Sequence, residues 1–146
     1  MSGDVVVITI PFAIHSLNVT SRRRSVHAKA DLEKKLVGNI MAALRGLRPD
    51  RPFERARVDV VRFSPGELDQ DNLYGACKAL LDVLVAPQVS APKRGGGLPR
   101  VLHKRGLGFL RDDKPALCTL VATQRKCRRD EARTVVTITE LPPAAP

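Results

Sequence analysis

The chain has 146 residues, which suits one compact domain and is too short for two independent hydrophobic cores. Hydrophobic residues make up 43% and charged residues 27%, excluding the apolar-poor composition of a disordered chain. Lys and Arg outnumber Asp and Glu 25 to 15, a formal charge of +10 that favours a polyanionic partner; no apolar run approaches the roughly 18 residues of a membrane-spanning helix, so nucleic acid is the expected polyanion.

The chain opens Met1-Ser2-Gly3-Asp4, without the basic start of a signal peptide, and an intracellular protein is expected. Val5 to Ile10 is β-branched throughout and stops at Pro11, which predicts a strand buried on at least one face that opens the sheet. From Lys29 to Leu47, Leu32, Leu36, Ile40, Ala43, Leu44 and Leu47 recur at helical spacing, and Pro49 follows. Arg57 to Phe63 reads as a second strand closed by Ser64-Pro65-Gly66. Leu73, Cys77, Leu80, Leu81 and Leu84 then mark a second amphipathic helix over about 72–85, ended by Pro87. Residues 86–108 hold three prolines, the run Gly95-Gly96-Gly97 and the cations Lys93, Arg94, Arg100, Lys104 and Arg105 without an acid, and read as a long basic loop. Two strands, Ala116 to Thr123 and Arg133 to Glu140, flank a charged hairpin holding Arg125, Lys126, Arg128 and Arg129. This order predicts a single α/β (α+β) domain over 1–141, a mixed sheet with two main helices packed on it as a two-layer sandwich, and a tail at 142–146.

Cys77, Cys118 and Cys127 form no CxxC pair and leave an odd thiol, and His15, His27 and His103 have no ligand spacing, so neither a disulfide framework nor a zinc site is expected. The carboxylates are more suggestive. Asp69 and Asp71 stand two residues apart at the entry to the second helix, where extended backbone would point both to one side. On the helical wheel Lys78 and Asp82 fall close to Asp71, opposite the apolar stripe, and Gly75 beside them leaves room for a close approach. A second pair, Asp112-Asp113, precedes a predicted strand. The plain alternative makes Asp71 a helix N-cap, Lys78 and Asp82 an ordinary i, i+4 ion pair, and Asp112-Asp113 a turn. Carboxylates grouped on a basic chain instead suit Mg²⁺, which is held by a few carboxylates, waters and substrate phosphate oxygens.

These residues resemble the RusA-like Holliday junction resolvases, the crossover junction endodeoxyribonucleases of phages and prophages. The resemblance covers most of the chain: the first strand ending at Pro11, Arg22-Arg23-Arg24 before the first helix, Asp69-Gln70-Asp71-Asn72-Leu73 with Lys78-Ala79-Leu80-Leu81-Asp82, Gly106 to Asp113, and Val136 to Glu140. It implies a Mg²⁺-dependent hydrolase of DNA, with Mn²⁺ as a substitute, that resolves four-way junctions by paired symmetric nicks in recombination and repair. It also implies a homodimer without membrane or small-molecule cofactor, in the cytoplasm of a bacterial or phage-infected cell. By position, Asp69, Asp71 and Asp113 become the catalytic metal ligands, with Asp112 as the fallback for Asp113. The family's catalytic lysine lies one helical turn after the second Asp; here Lys78 is seven residues on, about 10 Å of helical rise, and Lys104 and Lys114 are alternatives for its role. The long basic loop before Asp112 is a second departure.

Arg22 to Arg24, the 93–105 cations and Arg125, Lys126, Arg128 and Arg129 are then the expected phosphate contacts. With aromatics at 3%, base stacking is not the expected binding mode. The competing readings are a non-catalytic basic nucleic-acid-binding or architectural protein, and a ribosome-associated basic protein that binds RNA without metal.

Overall fold

The computed structural model describes residues 4–15, 25–92 and 94–143, with the backbone alone at Ser25 and Val26. Strand β1 (Val5–Ile10) precedes helix α1 (Ser25–Ala43), strand β2 (Ala56–Ser64) and helix α2 (Gln70–Leu84). Short strands β3 (Gln88–Ser90) and β4 (Arg100–Leu102) follow, then β5 (Cys118–Lys126), a 3-10 turn at Arg129–Glu131 and β6 (Arg133–Glu140).

The main sheet is mixed, in the order β1-β6-β2-β5: β6 runs antiparallel to both β1 and β2, whereas β5 runs parallel to β2. A parallel neighbour cannot be joined by a hairpin, and α2 lies in the crossover between β2 and β5. Alternation decides which side is buried. Ile8 and Ile10 on β1, Val58 and Val60 on β2, and Val136 and Ile138 on β6 are fully buried, meeting Leu36 and Ile40 of α1 and Leu80 and Leu84 of α2. This is the expected single α+β domain, with its layers held by one continuous apolar core.

The first helix starts and ends four residues earlier than the apolar spacing predicts. Arg45 and Gly46 take left-handed φ values of 53° and 77°, and the Gly46 N–H donates to the Met41 carbonyl, closing the helix before Leu47 can join its face. Leu47 is exposed. The expected long loop is also more ordered than composition implies. Residues 88–102 contain the β3–β4 hairpin, and Leu107, Phe109 and Leu110 are core residues. Backbone bonds from Leu107 to Val83 and from Phe109 and Leu110 to Leu84 fasten this segment to the C-terminal end of α2. At Gly106, a Cβ would stand 1.8 Å from the Val85 carbonyl oxygen, so only glycine lets the chain pass. The expected charged hairpin between the last two strands does not form: β2 lies between β5 and β6, and β5 runs to Lys126, carrying Arg125 and Lys126 within the strand.

Candidate metal-binding and nucleic-acid interface

Helix α2 begins at Gln70 because Asp69 caps it. Asp69 has extended backbone, φ −66° and ψ 167°, and its Oδ1 accepts the Asn72 N–H at 2.8 Å. Its Oδ2 accepts from Asn72 Nδ2 at 3.1 Å. The sequence reading that gives the cap to Asp71 is therefore corrected: Asp71 lies in the first turn, where the positive end of the helix dipole favours a carboxylate. Both aspartates are exposed. Each carboxylate oxygen has two lone pairs, so the capping bonds leave acceptor capacity on Asp69 for a hard cation.

The approach to Asp69 is held by two side chains that sequence reasoning missed. Gln124 of β5 accepts the Leu68 N–H and donates to the Leu68 carbonyl, both at 2.8 Å. Arg62 lies on the inward face of β2, 7% exposed, donating to the carbonyls of Ile14 at 2.6 Å and Gly66 at 2.9 Å and to Gln124 Oε1 at 3.4 Å. Burial lowers its pKa from the usual guanidinium value, with Cys127 acting in the opposite sense. The signal was present: Ala56, Val58, Val60 and Arg62 share one alternation, placing a charge on the core face.

The second acidic pair occupies the other end of the helix. Arg111 donates through its backbone to Phe53 at the approach to β2, and the Leu117 and Cys118 N–H groups bond to the Lys114 carbonyl, so Asp112 and Asp113 lie in the turn entering β5. Asp112 Oδ1 accepts the Asp113 N–H at 2.8 Å, and its Oδ2 is 3.6 Å from Lys114 Nζ. Desolvation works to raise the Asp112 pKa, but the Asp113 N–H, the Asp113 side chain and Lys114 together bring it below the usual carboxylate value.

Asp69 and Asp71 are thus separated from Asp112 and Asp113 by the length of the crossover. Two rulers agree. Helix α2, Gln70 to Leu84, rises about 21 Å at 1.5 Å per residue. Along β5, Gln124 beside Leu68 is six residues, about 20 Å, from Cys118 beside the acidic turn. The expectation that these carboxylates gather as one site is therefore not met within a single chain, and among the described residues no group of three or more His, Cys, Asp or Glu side chains is arranged to hold a metal.

The remaining expected residues divide among different surfaces. Lys78 is exposed on α2, two turns beyond Asp71, but Asp82 is buried and pairs with Lys29 at 3.2 Å and His103 at 3.7 Å in place of the expected Lys78 pair. Arg125 and Lys126 are exposed at the Asp69 end of β5, and Arg129 lies in the following turn. Arg128 is drawn towards Glu131, at 2.7 Å, and Arg105 towards Glu33, at 3.3 Å. Arg94 is exposed beyond β3. Arg22, Arg23, Arg24 and Lys93 lie outside the described residues. No described helix is long and apolar enough to cross a membrane. No protein-family model matches the chain, and no curated protein matches it.

Proposed function

We propose that the chain is a Mg²⁺-dependent endodeoxyribonuclease that cuts four-way junctions and related branched DNA in recombination and repair, acting as a homodimer whose active sites are shared between copies. The observation carrying this reading is the exposed Asp69 and Asp71 pair at the start of α2 on a chain of net charge +10; with Asp112 and Asp113 at the other end of α2, the third ligand has to come from a second copy. A twofold partner with its α2 antiparallel would set the Asp69–Asp71 end of each copy beside the Asp113 end of the other, giving two equivalent sites. The motif resemblance and the +10 charge agree with this chemistry.

In this reading Asp69, Asp71 and the Asp113 carboxylate of the second copy hold the cation, and Asp112 orients the turn by accepting the Asp113 N–H. Bound Mg²⁺ supplies water activation and neutralises charge on the phosphoryl oxygens. Asn72 fixes both oxygens of Asp69, while Gln124 and Arg62 hold the segment leading into it. Arg125, Lys126 and Arg129, at the same end of the sheet, bind phosphates.

The absence of three ligands within one chain favours a second reading, a basic DNA-binding protein without chemistry. Nicking of a synthetic four-way junction in Mg²⁺ separates the two. On the nuclease reading Asp71→Asn lowers the rate by at least about 100-fold while binding persists, because losing a direct ligand should cost no less than the roughly 10–100-fold lost with an outer-shell partner of a ligand. Unchanged nicking in Asp71→Asn would remove Asp71 from the active site; no Mg²⁺-dependent nicking by the native protein would leave the binding reading.

A further inference from the structure

Between α1, α2 and the segment from β4 to Arg105 lies a cleft of about 820 Å³. Its two carboxylates are already paired with groups from its walls. Asp82 is held between Lys29 and His103, and Glu33 between Lys29, at 3.8 Å, and Arg105. Both are largely buried, with side-chain exposures of 10% and 14%. This leaves Lys78 from α2, Arg100 from β4 and Lys104, all exposed and lining the same cleft, without a carboxylate partner among the described residues. Counting the five Lys and Arg residues against two acids, with His103 neutral, the lining carries a net charge of +3. Three elements therefore direct unneutralised cations into a recess, whereas ordinary surface lysines and arginines on one face are dispersed into solvent.

The cleft wall is also fixed in place. Gly106 passes against the Val85 carbonyl, its N–H donates to the His103 carbonyl, and Leu107 bonds to Val83, so the segment holding His103, Lys104 and Arg105 is fastened to the end of α2. His103 has a left-handed φ of 53°, a conformation the surrounding contacts must maintain.

We propose that this cleft is a second DNA subsite, which takes the phosphate backbone about three nucleotides from the phosphate addressed at Asp69 and Asp71. The proposal rests on the nuclease reading for that second position. Seven residues of helix separate Lys78 from Asp71, about 10 Å, which corresponds to about three base pairs at 3.4 Å of rise along the axis of a duplex lying parallel to α2. The hairpin from β3 to β4, with the loop that follows it, thereby lengthens the DNA contact of the basic surface and gives the long segment between α2 and β5 a recognition role.

The test is binding of a fluorescein-labelled synthetic four-way junction in EDTA, followed by anisotropy from 50 to 200 mM NaCl, with Arg100→Gln/Lys104→Gln compared with Arg45→Gln/Arg57→Gln. The second pair removes the same charge from the turn after α1 and from the opposite face of the sheet. Removing two phosphate contacts should reduce the slope of log K against log salt by about 1.8 in the cleft variant, with little change in the control. Equal changes in both variants, or none in the cleft variant, would overturn the subsite. Because binding is read without metal, a slope change specific to the cleft in a protein that never nicks DNA would retain the subsite and reject the nuclease reading. For position, a photocrosslinker at Lys78→Cys should label about three nucleotides from the nick, and labelling at the nick itself would contradict the spacing.

Discussion

Gln124 holds Leu68 by both backbone groups, donating to its carbonyl and accepting its N–H at 2.8 Å each, and so positions the residue immediately before Asp69. Gln124→Ala removes both bonds and should lower stability by about 2 kcal/mol, read in a urea melt. On the proposed nuclease reading, junction nicking should fall further than junction binding, because the loss displaces Asp69 without removing a cation. Equal losses in nicking and binding would indicate that Leu68 anchoring serves folding alone.

Gly106→Ala should be among the more damaging single-methyl changes in this chain. The new Cβ meets the Val85 carbonyl at 1.8 Å, backbone that cannot swing aside as a flexible side chain can. A loss of about 3 kcal/mol or more is expected from overpacking at this site. A thermal melt within about 2 °C of the native protein would show that the 103–107 segment is not fastened to α2 as described.

The thiols should separate by burial. Burial pushes Cys77 up to about 11, and Cys118 also to about 11 with the Asp113 charge adding to the effect, so both are protonated at neutral pH. Cys127 is only partly buried. Titration with a disulfide reagent at pH 8 should modify Cys127 in the folded protein and all three thiols after denaturation. Fast modification of Cys77 in native protein would contradict the packing of α2.

Asp112 should contribute acid sensitivity. Its folded pKa lies below the unfolded value of 3.8, so its stabilisation is fully present above about pH 4 and is lost as pH falls through the folded pKa. Asp112→Asn should therefore be less stable than the native protein by about 1–2 kcal/mol at pH 7, with the gap closing below pH 4. Parallel stability curves down to pH 2 would remove the Asp112 carboxylate from this role.

The elements were largely legible because their patterns are local. β-branching ended by Pro11 marks β1, and the spacing of Leu73, Cys77, Leu80 and Leu84 marks α2. Arg45 and Gly46 hide the end of α1 because Leu47 continues the apolar rhythm beyond a left-handed turn. Leu107, Phe109 and Leu110 are masked by glycines and basic neighbours, although they pack against the core. The candidate site failed as a single group for a topological reason. The parallel β2–β5 pairing makes the chain cross back through α2, so carboxylates before and after the crossover stand at opposite ends of the sheet. Motif spacing singled out the aspartates as candidates; strand order, which it does not encode, determined which of them share an end.

The most direct test of the proposed shared active site mixes two proteins expected to be inactive alone, Asp71→Asn and Asp113→Asn, after dissociation and reassociation, and measures Mg²⁺-dependent nicking of a four-way junction. In a mixed dimer one site receives both substitutions and the other receives neither, so nicking should return to about a quarter of the native rate for random pairing. If each chain completed its own site, both copies would remain dead and the mixture would stay inactive, contradicting the shared arrangement.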